Sequence, residues 1–210
     1  YSVMEAKKII KSGDLGHLLW FRGVYGKAGS IDYNENWRNH KKYSGGGIFI
    51  DQGIHMIDLI RFLSEKEFIA QYSYLSRSYW KNETEDNANI FLKSKDGIFA
   101  NVHSSANQWK HKFLLEICLE DGFIILDGLL SSTRSYTPEK LIISKREFED
   151  ITFAMGKPKE QITFFENDQS WELELEEFNT CIKNNSAVIN GNSKDALELM
   201  KIVNEVYKNP

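Results

Sequence analysis

Cysteine and proline are scarce in this chain. Two cysteines, Cys118 and Cys181, and three prolines occur among 210 residues. Neither cysteine has CxxC or metal-ligand spacing, so both are interpreted as buried thiols in a reducing compartment. The sequence also has no signal-peptide pattern and no apolar stretch long enough to cross a bilayer. We therefore expect a cytoplasmic protein without a membrane partner.

The chain also lacks a strongly basic region. Its net charge is -4, and its lysines and arginines are scattered. This distribution gives no reason to expect nucleic acid as a partner. With 41% hydrophobic residues, the chain can form one substantial domain with a core of its own.

A dinucleotide-binding glycine motif is missing as well. The glycines between Gly23 and Gly29 do not match G-x-G-x-x-G, and no helical pattern follows them. Residues 1–210 are therefore not expected to hold a dinucleotide tightly by themselves.

The apolar periodicity predicts helices at both ends of the chain and strands between them. Asp96-Gly97 and Asp121-Gly122 each separate two alternating runs, which indicates two β-hairpins and antiparallel pairing. The predicted helices span residues 2–11, 46–64, 169–184 and from Ser193 onward. The predicted strands begin at Leu18, Ile69, Ala88, Ile98, Phe113, Phe123 and Leu141, and residues 145–168 are expected to be irregular with some extended pieces.

This order predicts an α+β fold: an open, predominantly antiparallel β-sheet with helices packed on one face. The other face is expected to bear apolar side chains such as Tyr72, Tyr74, Ile90 and Leu115. An uncovered apolar sheet face often meets another subunit, so we expect a dimer or tetramer.

The run SGGGIFIDQGIHMIDL at residues 44–59 is the most informative stretch. Helical spacing puts Asp51 and His55 on one face, one turn apart, with Asp58 close to the same face. Burying such groups in an apolar helix is costly unless they are paired or used. His55 is therefore a candidate general acid or base, whereas Asp58 is expected to make a structural hydrogen bond.

The glycines of this stretch allow two interpretations. Gly53 inside the helix implies a close approach, either of a packed strand or of a ligand ring. Gly45, Gly46 and Gly47 form a helix entrance, whose backbone N–H groups either begin the helix or contact a ligand.

The same stretch resembles the C-terminal domain of the Gfo/Idh/MocA oxidoreductases, the family of glucose-fructose oxidoreductase and inositol dehydrogenase. That pattern is Gly-Gly-Gly, an apolar residue, then Asp-x-Gly-x-His-x-x-Asp, and every position is filled here. The resemblance implies that His55 exchanges a proton with a substrate hydroxyl and that Asp51 holds the sugar. The pair Trp37-Arg38 resembles one found at this place in many members of the family, so we expect substrate contacts from both residues. Lys42 is a further candidate for reaching the substrate.

The resemblance further implies NAD or NADP as cofactor, contacted here by Gly46, Gly53 and Arg38 and bound mainly by an N-terminal Rossmann domain absent from this chain. Residues 1–210 would be the substrate-binding and oligomerisation domain, assembled through the open sheet face. Its substrate would be a sugar, cyclitol or sugar derivative with a secondary alcohol. The catalytic lysine of the family's Glu-Lys-Pro motif has no counterpart here, so we expect the 210 residues alone to be inactive.

Two alternatives remain open at this stage. The chain could be a non-catalytic sugar-binding or assembly module of the same fold. It could also be a metal-dependent sugar isomerase or hydrolase that uses Asp51, His55 and Asp58, although we expect no metal site because the cluster contains a single histidine.

Overall fold

An eight-stranded sheet forms the centre of the fold in the computed structural model, which describes residues 1–30, 32–147 and 158–209. The strands lie side by side in the order β2-β3-β4-β1-β5-β6-β7-β8. Their bounds are β1 Leu18–Gly26, β2 Phe68–Ser76, β3 Asn87–Ser94, β4 Phe99–Ser105, β5 Lys112–Leu119, β6 Gly122–Leu129, β7 Tyr136–Lys145 and β8 Gln161–Phe165.

The expected antiparallel sheet is confirmed, with one exception at its centre. Strand β1 pairs in parallel with β4 on one side and antiparallel with β5 on the other. The carboxyl ends of β1 and β4 and the start of β5 therefore meet at one end of the sheet. This end of the sheet holds the candidate site described below.

Both predicted hairpins are present, β3–β4 and β5–β6. Strand β7 is longer than the predicted piece at Leu141–Ser144, because it begins at Tyr136 beside the end of β6. Strand β8 is one of the extended pieces expected within residues 145–168. Part of that predicted irregular segment, residues 148–157, lies outside the described residues.

The helices pack on one face of the sheet, as predicted. Their bounds are α1 Ser2–Ser12, α2 Lys41–Ser44, α3 Ile54–Ser64, α4 Ser170–Asn184 and α5 Ser193–Lys208. The predicted helix over residues 46–64 instead begins with a π-helical turn, Phe49–Gly53, that continues into α3. The π-turn widens the helix at the position of Asp51, a distortion that is frequent at functional sites.

Helix α3 is only partly buried. Met56, Ile57 and Ile60 are fully buried in the core. His55 and Asp58 are exposed. The expectation that these two polar side chains are buried in an apolar helix was therefore wrong.

Two of the four side chains expected on the open sheet face are instead in the core. Ile90 and Leu115 are buried beneath the helices, so that prediction was wrong, while Tyr72 and Tyr74 are more than half exposed. Alternation marks the apolar side of each strand, but it does not tell whether helices or another subunit cover that side. Phe91, the neighbour of Ile90, lies on the open side instead and stacks on Phe99.

The two C-terminal helices differ in how much they bury. Helix α5 buries Leu199, Ile202, Val203 and Val206, and its N-cap is Asn192 rather than the predicted Ser193. Helix α4 buries Cys181 alone. Within the described residues, no helix is long and apolar enough to span a membrane.

Candidate active site

The candidate site lies where β1 ends and β5 and β7 begin. Tyr25 is near the end of β1, and its ring packs edge-on against Phe113 of β5 at 5.2 Å and Tyr136 of β7 at 5.4 Å between centroids. The ring of His111 lies tilted against that of Tyr136, with 5.1 Å between centroids. These rings form an aromatic wall beside the π-turn and the first turn of α3.

Asp51 is the charged centre of the site, and both of its carboxylate oxygens face cations. Lys27 Nζ donates to Oδ2. Arg38 Nε lies 3.6 Å from Oδ1, too far for a hydrogen bond but close enough for an ion pair. The Arg38 guanidinium also lies 4.5 Å from the ring centroid of Trp37, a cation–π distance.

Lys27 is held rigidly at the end of β1. Its N–H donates to the Ser105 carbonyl at 2.8 Å, and its own carbonyl accepts from Gln108 N–H at 3.0 Å. Gly26 before it permits this approach, since a Cβ there would lie 2.7 Å from the Gln108 side chain. The sequence analysis missed Lys27, although its place directly after a strand near the sheet end was a usable signal.

His55 lies next to the same aromatic wall. Its ring centroid is 6.4 Å from that of Tyr25, and Asp51 is near enough to act on Tyr25 by its charge. Burial, and then the negative charge of Asp51, raise the pKa of Tyr25. Asp51 and His55 therefore both lie near Tyr25, and their action in one site stays a prediction.

The charge of the Asp51 carboxylate also affects the pKa of two other tyrosines. Burial is the main cause that raises the pKa of Tyr136, followed by Tyr25 and Asp51. Burial likewise raises the pKa of Tyr33, with Asp51, Asp86 and Glu85 adding to the effect. All three phenols remain protonated donors at neutral pH.

The glycine run before the π-turn is fixed by Glu85. Its carboxylate accepts from the N–H of Gly47 at 2.9 Å and of Phe49 at 3.1 Å, and from the hydroxyl of Tyr207 at 2.7 Å. A Cβ on Gly46 would lie 1.9 Å from the Tyr207 hydroxyl oxygen, and one on Gly47 would lie 2.1 Å from the Glu85 carbonyl oxygen. These glycines are required because the backbone packs closely against α5 and residue 85.

The other residues predicted for the site are Gly53, Gly46 and Lys42, and their contacts differ. A Cβ on Gly53 would lie 3.0 Å from Ser104 Oγ of β4, which supports the packed-strand interpretation of that glycine. Lys42 Nζ lies 5.8 Å from the Tyr43 ring centroid, and Lys27 occupies the position beside Asp51 that Lys42 was expected to approach. The cofactor roles of Gly46 and Gly53 and the substrate role of Lys42 stay predictions.

Asp58 does not join the Asp51 cluster by any described contact. Its carboxylate is exposed and lies 3.8 Å from Nη1 of Arg61. Burial raises the pKa of Asp58, and the positive charges of Arg61 and His55 partly offset that effect.

No cluster of three or more His, Cys, Asp or Glu side chains positioned for a metal ion occurs in the part of the chain that the structure describes. The metal-dependent alternative therefore has no observation in its favour there.

The glycine run is poorly suited to bind the phosphates of a dinucleotide. The imidazole of His55 and the guanidinium of Arg38 are exposed and so accessible to a ring such as a nicotinamide. By contrast, the N–H groups of Gly47 and Phe49, which would suit a phosphate at a helix start, already donate to Glu85. This chain could hold the reactive end of a dinucleotide but offers no phosphate cradle in that glycine run.

Comparison with protein families identifies the fold and the site motif together. A family model described as the GFO/IDH/MocA C-terminal domain matches residues 3–125, more than half of the chain. The chain belongs to the GFO/IDH/MocA family. The matched region includes the whole Asp51–His55 helix and Lys27.

Two curated GFO/IDH/MocA-like relatives match parts of the chain. Levoglucosan dehydrogenase from Pseudarthrobacter phenanthrenivorans is 40% identical over 77 residues, which cover 36% of this chain and 20% of that protein. A 1-carboxy-3-chloro-3,4-dihydroxycyclohexa-1,5-diene dehydrogenase from Comamonas testosteroni is 27% identical over 105 residues, 49% of this chain and 25% of its own length.

The fold matches solved structures over nearly its full length. Levoglucosan dehydrogenase in complex with NADH and levoglucosan superposes with a TM-score of 0.76 at 21% identity, covering 100% of this chain and 62% of that one. At this identity the likeness concerns the fold alone. The chain spans about three-fifths of that solved relative and a quarter or less of the two curated relatives it matches.

Proposed function

We propose that this domain is the substrate-binding and catalytic half of an NAD(P)-dependent oxidoreductase. The reaction would move a hydride between the nicotinamide and a carbon that bears a secondary alcohol in a sugar, cyclitol or sugar derivative. The observation that supports the proposal is the proximity of both Asp51 and His55 to Tyr25 in the aromatic wall.

Each residue has a separate task in this proposal. The imidazole of His55 accepts the hydroxyl proton as the alcohol is oxidised and returns it in the reverse direction. The Asp51 carboxylate accepts a hydrogen bond from the substrate and so fixes its orientation. The aromatic wall excludes water from one side of the reacting carbon.

The nicotinamide, when bound, supplies the hydride acceptor. Arg38 is the described residue best placed to contact it, since its guanidinium is half exposed and lies flat over Trp37. The relatives support this cofactor class, because one of them is a levoglucosan dehydrogenase solved with NADH and levoglucosan.

We also propose that a dinucleotide-binding domain packs against this one. About two-fifths of the chain of the solved levoglucosan dehydrogenase lies outside the part that this chain covers. Helix α4 carries an apolar stripe in which each side chain is 54–74% exposed: Trp171, Leu175, Phe178 and Ile182. An uncovered stripe of this kind is typical of a helix that meets another surface.

Substitution of His55 tests the catalytic assignment. In the protein with its whole reading frame, His55→Ala should lower kcat about 100-fold or more, because the general acid/base is lost. The residue is exposed, so folding should be unaffected, and circular dichroism checks this. The assay follows reduction of NAD+ and NADP+ with a panel of sugars and cyclitols.

His103→Ala is the matched control. His103 lies on β4, hydrogen-bonded at 3.3 Å to Asn87 on the face of the sheet away from α3, and should leave kcat unchanged. A His55→Ala protein with near wild-type kcat would remove His55 from the acid/base role. A wild-type protein that binds sugars without reducing either cofactor would instead favour the non-catalytic binding module.

A further inference from the structure

The Lys27–Asp51 pair is the feature of the site that the proposed function leaves unexplained. The two side chains come from different elements, the end of β1 and the π-turn, and are 24 positions apart in the chain. Their exposed fractions are only 22% and 26%. A partly buried pair of this kind, held from both sides by backbone, is more than a solvated surface ion pair.

The two carboxylate oxygens of Asp51 have different partners. Lys27, whose backbone is fixed by hydrogen bonds, donates to Oδ2, whereas Oδ1 has only the looser Arg38 contact at 3.6 Å. A carboxylate oxygen can accept more than one hydrogen bond, so Oδ1 remains able to accept from a ligand. Lys27 has three ammonium donors, and Asp51 is its sole side-chain partner among the described residues.

An ammonium donor and a carboxylate acceptor side by side match one hydroxyl group, which both donates and accepts. This hydroxyl cannot be the one that is oxidised, because that group must lie against His55. His55 is four residues after Asp51, so the hydroxyl that Asp51 binds and the hydroxyl that reacts belong to the same end of the substrate. The substrate therefore needs a second hydroxyl besides the reacting one.

We propose that Lys27 and Asp51 together bind this second hydroxyl, so that Lys27 helps to decide which polyols the site accepts. This inference rests on the proposed function, since it takes His55 as the site of the oxidised hydroxyl. Lys27 is a further specificity-determining residue, acting both on Asp51 and on the substrate oxygen.

Binding of deoxy-sugars tests the inference without relying on turnover. The probes are glucose, 2-deoxyglucose, 3-deoxyglucose and glucuronate, titrated by calorimetry into the whole reading-frame protein with NADH or NADPH present. At least one deoxy-sugar should bind about tenfold or more weakly than glucose, because a hydrogen bond to charged groups is lost.

The variants separate a specific role for Lys27 from a structural one. Lys27→Met should bind glucose as weakly as wild type binds the discriminated deoxy-sugar, and it should no longer distinguish the two. Lys27→Arg should keep the discrimination, since it retains a donor beside Asp51. Lys201→Met, at an exposed lysine of α5 that pairs with Glu198, is the matched control and should behave as wild type.

Three results would overturn the inference. One is equal binding of glucose and both deoxy-sugars by wild type, or no binding of any probe. Another is a Lys27→Met protein whose affinity for all neutral probes is lower than that of wild type by the same factor. The third is glucuronate binding more tightly than glucose, which would assign Lys27 to a carboxylate. Sugar discrimination as expected, but without reduction of either cofactor, would contradict only the proposed function.

Discussion

Asp86 illustrates how a single carboxylate shapes the site from a distance. It is 1% exposed and accepts from the backbone N–H groups of Ser78, Tyr79 and Trp80, each at 2.7 Å. Burial raises the pKa of Asp86. These hydrogen bonds and one from Asn87 together lower it by more than burial raises it, so the net pKa lies below its ordinary value. The loop that it orders packs Trp80 against Tyr33, next to Asp51.

We expect Asp86→Asn to lower the free energy of unfolding by about 2–3 kcal/mol at pH 7, because an amide cannot accept all of these bonds. Since the folded-state pKa is lowered, this stabilisation is complete above the unfolded-state pKa of about 3.9 and is lost as the pH falls through the folded-state value. The difference between the two proteins should be constant from about pH 8 to pH 5 and shrink below about pH 4.

Urea denaturation across this pH range measures the effect. Asp96→Asn is the control, since Asp96 pairs with Lys66 on the surface and should change the free energy of unfolding by less than about 1 kcal/mol. A difference for Asp86→Asn that persists unchanged at low pH would contradict this account.

Predictability from sequence differs residue by residue for physical reasons. Asp51 and His55 were recognised because helical spacing is a local property of the chain. Lys27 was missed because its contact with Asp51 joins a strand end to a helix 24 positions later, which no local pattern encodes. Ile90 and Leu115 were placed on the wrong face because alternation marks the apolar side of a strand without showing what covers that side.

Helix α5 stabilises the backbone that precedes Asp51 through one hydroxyl group. Tyr207 donates to Glu85, which in turn accepts from the N–H groups of Gly47 and Phe49. A helix at the end of the described chain is thereby connected to the start of the π-turn.

Tyr207→Phe should lower the free energy of unfolding by about 1–2 kcal/mol, because a buried hydrogen bond to a charged group is lost while the ring remains. Thermal and urea unfolding measure the change. Tyr74→Phe, whose side chain is more than half exposed on the open sheet face, is the control. Equal unfolding midpoints for Tyr207→Phe and wild type would show that Glu85 is held adequately by the backbone alone.

Helix α4 provides a test of the second domain. In the 210-residue chain its amides should exchange quickly with solvent deuterium, because only Cys181 is buried. In the whole reading-frame protein they should be protected, and Leu175→Gln with Phe178→Gln should reduce that protection. Hydrogen exchange followed by mass spectrometry measures both.

The control for α4 is Leu197→Gln, a 57% exposed residue on α5 outside the stripe. It should leave the protection of α4 unchanged. Equal exchange of α4 in the short and the whole protein would exclude this helix as the contact between domains.

Seen across the entire fold, hairpin-forming local signals were sufficient to predict the antiparallel sheet, but not its parallel centre. The pairing of β1 with β4 joins residues about 80 positions apart, such as Trp20 and Phe99, and so depends on tertiary packing. This non-local pair also brings the ends of β1 and β4 together at the site. The site position was therefore less predictable than its residues.

The open sheet face carries a row of aromatic side chains across four strands. Trp20 stacks on Phe99 at 6.3 Å and Phe91 stacks on Phe99 at 5.7 Å, with Tyr72 opposite Phe91 on β2. An exposed aromatic row of this size fits an interface between copies of the chain.

We expect the protein to sediment as a dimer or tetramer, and Tyr72→Glu with Tyr74→Glu to shift it toward monomer, since charges would be buried at the contact. Sedimentation equilibrium measures the change. Tyr43→Glu, at an exposed position on α2, should leave the assembly unaltered. A monomeric wild type would refute the expected interface.

The Lys27–Asp51 pair also has an evolutionary consequence. Loss of Asp51 alone leaves Lys27 without its side-chain partner among the described residues, and loss of Lys27 alone leaves Asp51 with only the looser Arg38 contact, so either loss alone is more costly than loss of both. Descendants of this chain should therefore replace the two positions together. A homologue that keeps the fold but has abandoned its chemistry should be recognisable by an uncharged pair at these two positions, even where the histidine persists.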